Sequence, residues 1–116
     1  MKYKIVPTPW GDRTALNLTR VIADGAGDVY IGADQFFRIG QVNMGVQLQA
    51  VGTIVTPSFT LAPPELAANE DPSIAAAQPW MALASVASGN MVNYPLATTA
   101  VKLHFATAGE ATLVSW

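Results

Sequence analysis

The sequence contains no cysteine. Disulfides and thiolate metal sites are therefore excluded, and an ion could be held only by oxygen and imidazole donors. Charge is also scarce: six Lys and Arg stand against eight Asp and Glu, a net charge of -2, and charged residues make up 12% of the chain. That is about half the roughly 25% usual for a globular domain. His104 is the single histidine, and one imidazole without a cysteine or a second histidine does not build a usual zinc site. No run approaches the roughly 18 uninterrupted apolar residues of a membrane span. The opening MKYKIVPTPWG has two lysines but no apolar stretch after them, so it does not read as a signal peptide. Neither a G-x-S-x-G elbow nor a GxxxxGK[ST] phosphate loop is present. The acids Asp12, Glu65, Glu70, Asp71 and Glu110 fall in predicted turns, where carboxylates are ordinarily solvated. The cations Lys2, Lys4, Arg13, Arg20, Arg38 and Lys102 are scattered and do not form the cluster that a phosphate backbone requires. The expectation is a non-enzymatic chain with no cofactor, no metal, and neither nucleic acid nor membrane as a partner.

What the sequence does contain is strand periodicity. The longest uncharged run is Met44 to Leu61, MGVQLQAVGTIVTPSFTL. Val46, Leu48 and Ala50 share one face, with Gln47 and Gln49 on the other. The phase slips at Val51-Gly52, after which Val55, Phe59 and Leu61 share a face, so a bend between two strand segments is expected there. Pro57 lacks the N–H that a ladder needs, which predicts an edge or a bulge. Further strands are expected within residues 13–23, at Val29-Tyr30-Ile31, at Phe36 to Ile39, from Trp80 to Val86 and at Met91 to Tyr94. The segment Ala62 to Pro79 reads as a long loop with two helical turns, crossing from one sheet to the other. In the closing segment Val101, Leu103 and Phe105 alternate with Lys102 and His104. Residues 106–110 then read as a hairpin loop with Gly109 available for a positive φ. Short strands separated by glycine turns at this spacing predict an all-β fold, an antiparallel β-sandwich or jelly roll of about seven or eight strands.

Residues 1–12 read as an extended N-terminal arm ahead of one β-sandwich domain over 13–116. Pro7 and Pro9 are expected to stop regular pairing after Tyr3, Ile5 and Val6. An arm with exposed aromatics suits contact with a neighbouring subunit, and Tyr3, Ile5 and Trp10 are its candidate contact residues. The loop Asp24-Gly25-Ala26-Gly27-Asp28, with Asp34 nearby, carries three acids, but its spacing is not that of an EF-hand and it reads as a solvated turn. His104, on the polar face of its strand, reads as a surface histidine. Trp10, Trp80, Trp116, Tyr3, Tyr30 and Tyr94 could form an aromatic platform for sugars, although two of the tryptophans are expected in the core. A surface with so few charges is weakly solvated, and such surfaces are often covered in an assembly.

The second half follows a recognisable order. A strand of the form Val51-Gly52-Thr53-Ile54-Val55 and Phe59-Thr60-Leu61 leads to a loop with Asp71-Pro72. Trp80, the turn Ser88-Gly89, Tyr94-Pro95, the stretch from Ala97 to Leu103 and that from Ala108 to Leu113 follow. Over residues 46–116 this resembles a group of small bacteriophage virion proteins. Lys102 stands where that pattern often has arginine, and residues 106–109 stand where it often has a glycine-serine loop. The resemblance implies a non-enzymatic component of a phage particle, made in the host bacterial cytoplasm. A capsid decoration (cement) protein bridging major capsid subunits, as a homo-oligomer such as a trimer, is the first expectation. A tail or fibre-associated module that binds a glycan or receptor is the alternative.

Overall fold

The computed structural model describes residues 1–9, 17–32, 46–87, 91–94 and 98–115. Among these residues the chain forms nine strands and two short helices, more strands than the seven or eight expected. The strands are β1 (Tyr3–Pro9), β2 (Asn17–Ala23), β3 (Gly27–Gly32), β4 (Val46–Val51), β5 (Val55–Thr60), β6 (Met81–Ala82), β7 (Met91–Tyr94), β8 (Ala100–Phe105) and β9 (Gly109–Ser115). The helices α1 (Pro64–Ala67) and α2 (Pro72–Ala76) lie between β5 and β6.

Two antiparallel sheets result, one ordered β1-β2-β9-β4-β7 and the other β3-β8-β5-β6. The pairing is nested. β5 pairs with β6, β4 with β7, β3 with β8 and β2 with β9, so the chain from β2 onward is one long hairpin bent over on itself. Bending brings β9 beside β4 and β8 beside β5, which completes the two sheets. Alternation decides which side chains turn inward. Val21, Ala23, Ala50, Ala111 and Leu113 of the first sheet share one buried cluster with Val29, Ile31, Val55, Val101, Leu103 and Phe105 of the second. Ile5, Phe59 and Leu83 pack at its margin. Each large side chain so buried contributes about 1.5–3 kcal/mol.

The phase slip at Val51-Gly52 is the corner at which the chain leaves the first sheet, after β4, and enters the second as β5. Gly52 turns it with φ 74°, a left-handed conformation that glycine adopts without steric cost. Pro57 sits on β5 where the outer neighbour is broken. Val55 exchanges both backbone bonds with Val86, at 2.9 and 2.7 Å, while the two-residue β6 faces only Ser58 and Phe59. The absent N–H of Pro57 points into that gap, where its carbonyl accepts from Leu83 N at 2.8 Å.

Three expectations are corrected. Residues 106–108 do not close a hairpin: β8 belongs to the second sheet and β9 to the first, so this turn is another corner between sheets. Gly109 is required for close approach, because a Cβ there would lie 2.4 Å from Thr53 Cγ2. The long segment after β5 does not change sheets, since β5 and β6 are neighbours; it crosses the outer face of its own sheet as far as β3, against which α1 packs, and returns. Finally, Pro7 and Pro9 do not interrupt pairing. β1 is in register with β2 from Tyr3↔Ala23 to Pro9↔Asn17. Lys2 O accepts from Asp24 N at 3.0 Å, so even positions face β2, and both prolines turn their nitrogens to the other side, where no described strand pairs with β1.

Candidate interaction surfaces

The outer face of the second sheet is built from three cross-strand rows, Asp28–His104–Thr56, Tyr30–Lys102–Ser58 and Gly32–Ala100–Thr60. The last two are roofed by the segment carrying α1 and α2. Small residues let it lie close: Ala67 and Ala75 are fully buried, as is Ala100, and Ser58 and Thr60 are 4% and 1% exposed. Trp80 fastens the segment. Its ring centroid is 5.6 Å from that of Tyr30, Lys102 Nζ lies 5.8 Å from its centroid, and its Nε1–H donates to Ala75 O at 2.7 Å. Trp80 is thus a half-buried residue of the outer face and not of the core. Trp10 and Trp116 lie outside the described residues.

The first row stays open. His104 Nδ1 is 2.7 Å from Asp28 Oδ1, and the hydroxyls of Thr56 and Ser85 are 2.9 Å apart. An imidazole oriented by a carboxylate is an arrangement that acid–base catalysis uses. Here both side chains are about half exposed, which limits the pair to a weak, solvated tie between β3 and β8. Among the described residues no group of three or more His, Asp and Glu is placed to hold a metal ion. Within the acidic turn, Asp24 is engaged by the Lys2 amide at 2.7 Å and Asp28 by His104, while Asp34 lies outside the described residues.

Beside that row, the edges of the two sheets and the α1–α2 turn enclose a cleft of about 240 Å³. Tyr3 and Ile5 of β1 form one wall, Asp28 and Tyr30 of β3 the other, and Ala68, Asn69, Glu70 and Pro72 close it. Asn69 is occupied with its own turn, donating from Nδ2 to Glu65 O and accepting from Asp71 N. The Tyr30 hydroxyl is pushed above its ordinary pKa, first by burial and second by the charge of Asp28. At the opposite edge of the second sheet, Phe59, Leu61, Pro79 and Met81 line an open apolar groove of about 370 Å³. Leu61 and Met81 are 63% and 62% exposed there, and Val51 and Ile54 are about half exposed around the first corner.

Of the contact residues expected from the sequence, Tyr3 is about half exposed and Ile5 is partly buried against the core. The structure places both in the edge cleft. Tyr30, named with Tyr3 among the aromatics of a sugar platform, joins them, as do Asp28 and Glu70, which sequence reasoning did not place there. Alternation around Val29 and Ile31 turns Asp28 and Tyr30 outward, but no local signal shows that β1 lies opposite them. No protein-family model, curated protein or solved structure matches the chain.

Proposed function

We propose that the chain is a jelly-roll structural protein of a bacteriophage particle, a capsid decoration protein that bridges shell subunits without catalysing a reaction. The observation that carries this reading is the nested strand order, β2-β9-β4-β7 facing β3-β8-β5-β6 across one core. With β1 set aside as an added edge strand, two opposed four-stranded sheets made by bending one long hairpin support a jelly-roll reading, an architecture of viral capsid and lectin domains. Sparse charge supports the same reading, as do Leu61, Met81, Val51 and Ile54, large apolar side chains left half or more exposed. The resemblance of residues 46–116 to small virion proteins points to the particle. In this role the chain is a homo-oligomer, such as a trimer, on the major capsid protein. Many modest contacts repeated over a lattice sum by avidity.

The test is its copy number relative to the major capsid protein in purified virions, followed by heating of particles made without it. Hundreds of copies, and particles that lose their genome at lower temperature when depleted, are expected. Depleted particles as heat-resistant as complete ones would overturn the role. The edge cleft, with Tyr3 and Tyr30 at its walls, favours a second reading, a tail-associated module that binds a glycan or receptor. Six to a few dozen copies per particle would favour that one.

A further inference from the structure

We infer that the cleft between β1 and β3 receives a cationic side chain, an arginine or lysine, presented by a neighbouring subunit. This rests on the assembly role proposed above and specifies the chemistry of its contact.

The first argument is the shape and make-up of the cleft. It is a space of about 240 Å³, large enough for one long side chain, lined by Tyr3 of β1 and Tyr30 of β3 together with the apolar residues Ile5, Ala68 and Pro72. Ring faces attract cations, and arginine more than lysine, because the guanidinium is planar and weakly hydrated. The second argument is the balance of donors and acceptors. The ionisable groups among the described lining residues are two carboxylates and two tyrosines. Asp28 spends one oxygen on His104. Glu70 is exposed, with its carboxylate uncommitted among the described residues. With the Asn69 amide tied into its own turn, the lining offers chiefly acceptors, so the best occupant is a pure donor. Arginine has five donors in a planar fork that matches a carboxylate. The third argument is access. Among the described residues no strand pairs with β1 on the side away from β2, and Tyr3 and Ile5 turn their backbone groups to that side, while the prolines at 7 and 9 withhold donors beyond them. A neighbour approaching this side meets a short stretch of backbone that no described strand pairs, beside the cleft.

The experiment uses the whole chain in solution, titrated with L-arginine methyl ester while backbone amide and tyrosine ring resonances are followed. L-citrulline methyl ester, nearly the same shape without the charge, is the control. Saturable shifts at Tyr3, Asp28, Tyr30 and Glu70 are expected with the arginine ester alone, weakening severalfold as salt is raised from about 50 to about 500 mM. Glu70→Gln and Tyr3→Leu, both at exposed positions, should each lower the affinity about threefold or more, with resonances elsewhere unchanged. Absence of saturable shifts, equal shifts with citrulline, or shifts produced instead by a neutral trisaccharide such as maltotriose would each overturn the inference. Copy number in virions is an independent reading. A cleft that ignores arginine in a chain abundant on particles overturns the inference and spares the assembly role. Arginine binding by a chain absent from particles supports the cleft chemistry and overturns its assignment to a virion neighbour.

Discussion

The two ends of β5 are held in opposite ways. At its start the corner of residues 52–54 is fixed by sterics and one hydroxyl. Thr53 is 7% exposed, and its Oγ1 donates to Thr107 O at 3.1 Å and accepts from Thr107 N at 3.2 Å. Ala106 N donates to Ile54 O at 3.0 Å, and Gly109 leaves the space that the Thr53 methyl fills. Two corners, 52–54 and 106–108, are thereby joined into one rigid end of the molecule. Beyond the other end of β5, residues 61–80 are satisfied mostly by their own turns. Asp71 caps α2 by accepting from Ser73 N at 3.0 Å, and Asn69 accepts from Asp71 N at 2.9 Å. This segment meets the sheet through alanines, one tryptophan and the Thr99 hydroxyl, which donates to Ala62 O at 2.5 Å. A junction held by close packing fails as a unit, whereas a roof held by small side chains, one ring and one hydroxyl can lift while the sheets stay intact.

Gly109→Ala carries the largest expected effect. Its Cβ would fall 2.4 Å from Thr53 Cγ2, 2.6 Å from Thr53 Cβ and 3.0 Å from Val51 O, so the corner must move. Overpacking of this kind costs about 1–3 kcal/mol, and the loss should appear in global unfolding by urea. Thr53→Gly in the same chain removes the clashing atoms. Although costly alone, it should cost distinctly less in the Gly109→Ala background, a coupling that a double-mutant cycle measures. Independent, additive losses would show that the two corners are not joined.

Trp80→Ala comes next and should act differently. It removes a half-buried ring, its bond to Ala75 O and its contacts with Tyr30 and Lys102. A loss of about 1–2 kcal/mol is expected, below the range for a fully buried tryptophan. Amide exchange should rise through α1 and α2 while β8 and β9 keep their protection. Equal loss of protection across both sheets would place the roof within the cooperative core.

The same contrast explains what the sequence made legible. Alternation identified the inward set Val101, Leu103 and Phe105 correctly, because period-two burial is a local property of a strand. The two helical turns expected within residues 62–79 are present, and each helix starts on a proline, Pro64 and Pro72. The misreadings concern residues whose role depends on distant partners. Gly109 looked like a hairpin glycine because a short glycine turn between two strands is the local signature of one. Its actual constraint, the methyl of Thr53, lies far off in sequence. Pro7 and Pro9 looked like breakers because their shared parity matters only once β2 is known to lie on one side. The edge cleft was half visible: Tyr3, Ile5 and, among the platform aromatics, Tyr30 were singled out, while Asp28 and Glu70 join them only through the sheet order. The residues around Phe36 to Ile39, expected as a strand, lie outside those described.

The smallest expected effect concerns the open outer face of the first sheet, where the guanidinium Nε of Arg20 on β2 donates to Glu110 Oε1 on β9. That bond holds the Glu110 carboxyl below the ordinary glutamate range, partly offset by burial. On the roof, hydrogen bonds from the Ser73 side chain and amide lower Asp71 in the same direction. Both groups bind protons more weakly when folded than when unfolded. Their contribution is therefore complete above the unfolded carboxylate values, about pH 4–4.5, and drains away as pH falls through the depressed folded values. Urea midpoints measured from pH 6 downward should be flat and then decline in that acid window. Glu110→Gln should lower the plateau slightly and make the decline shallower, because one of the linked protons is gone. Since the pair is partly exposed, about 150 mM salt should shrink the difference between the two chains. A decline of unchanged steepness in the variant would mean that the Arg20–Glu110 pair contributes nothing to holding β2 against β9.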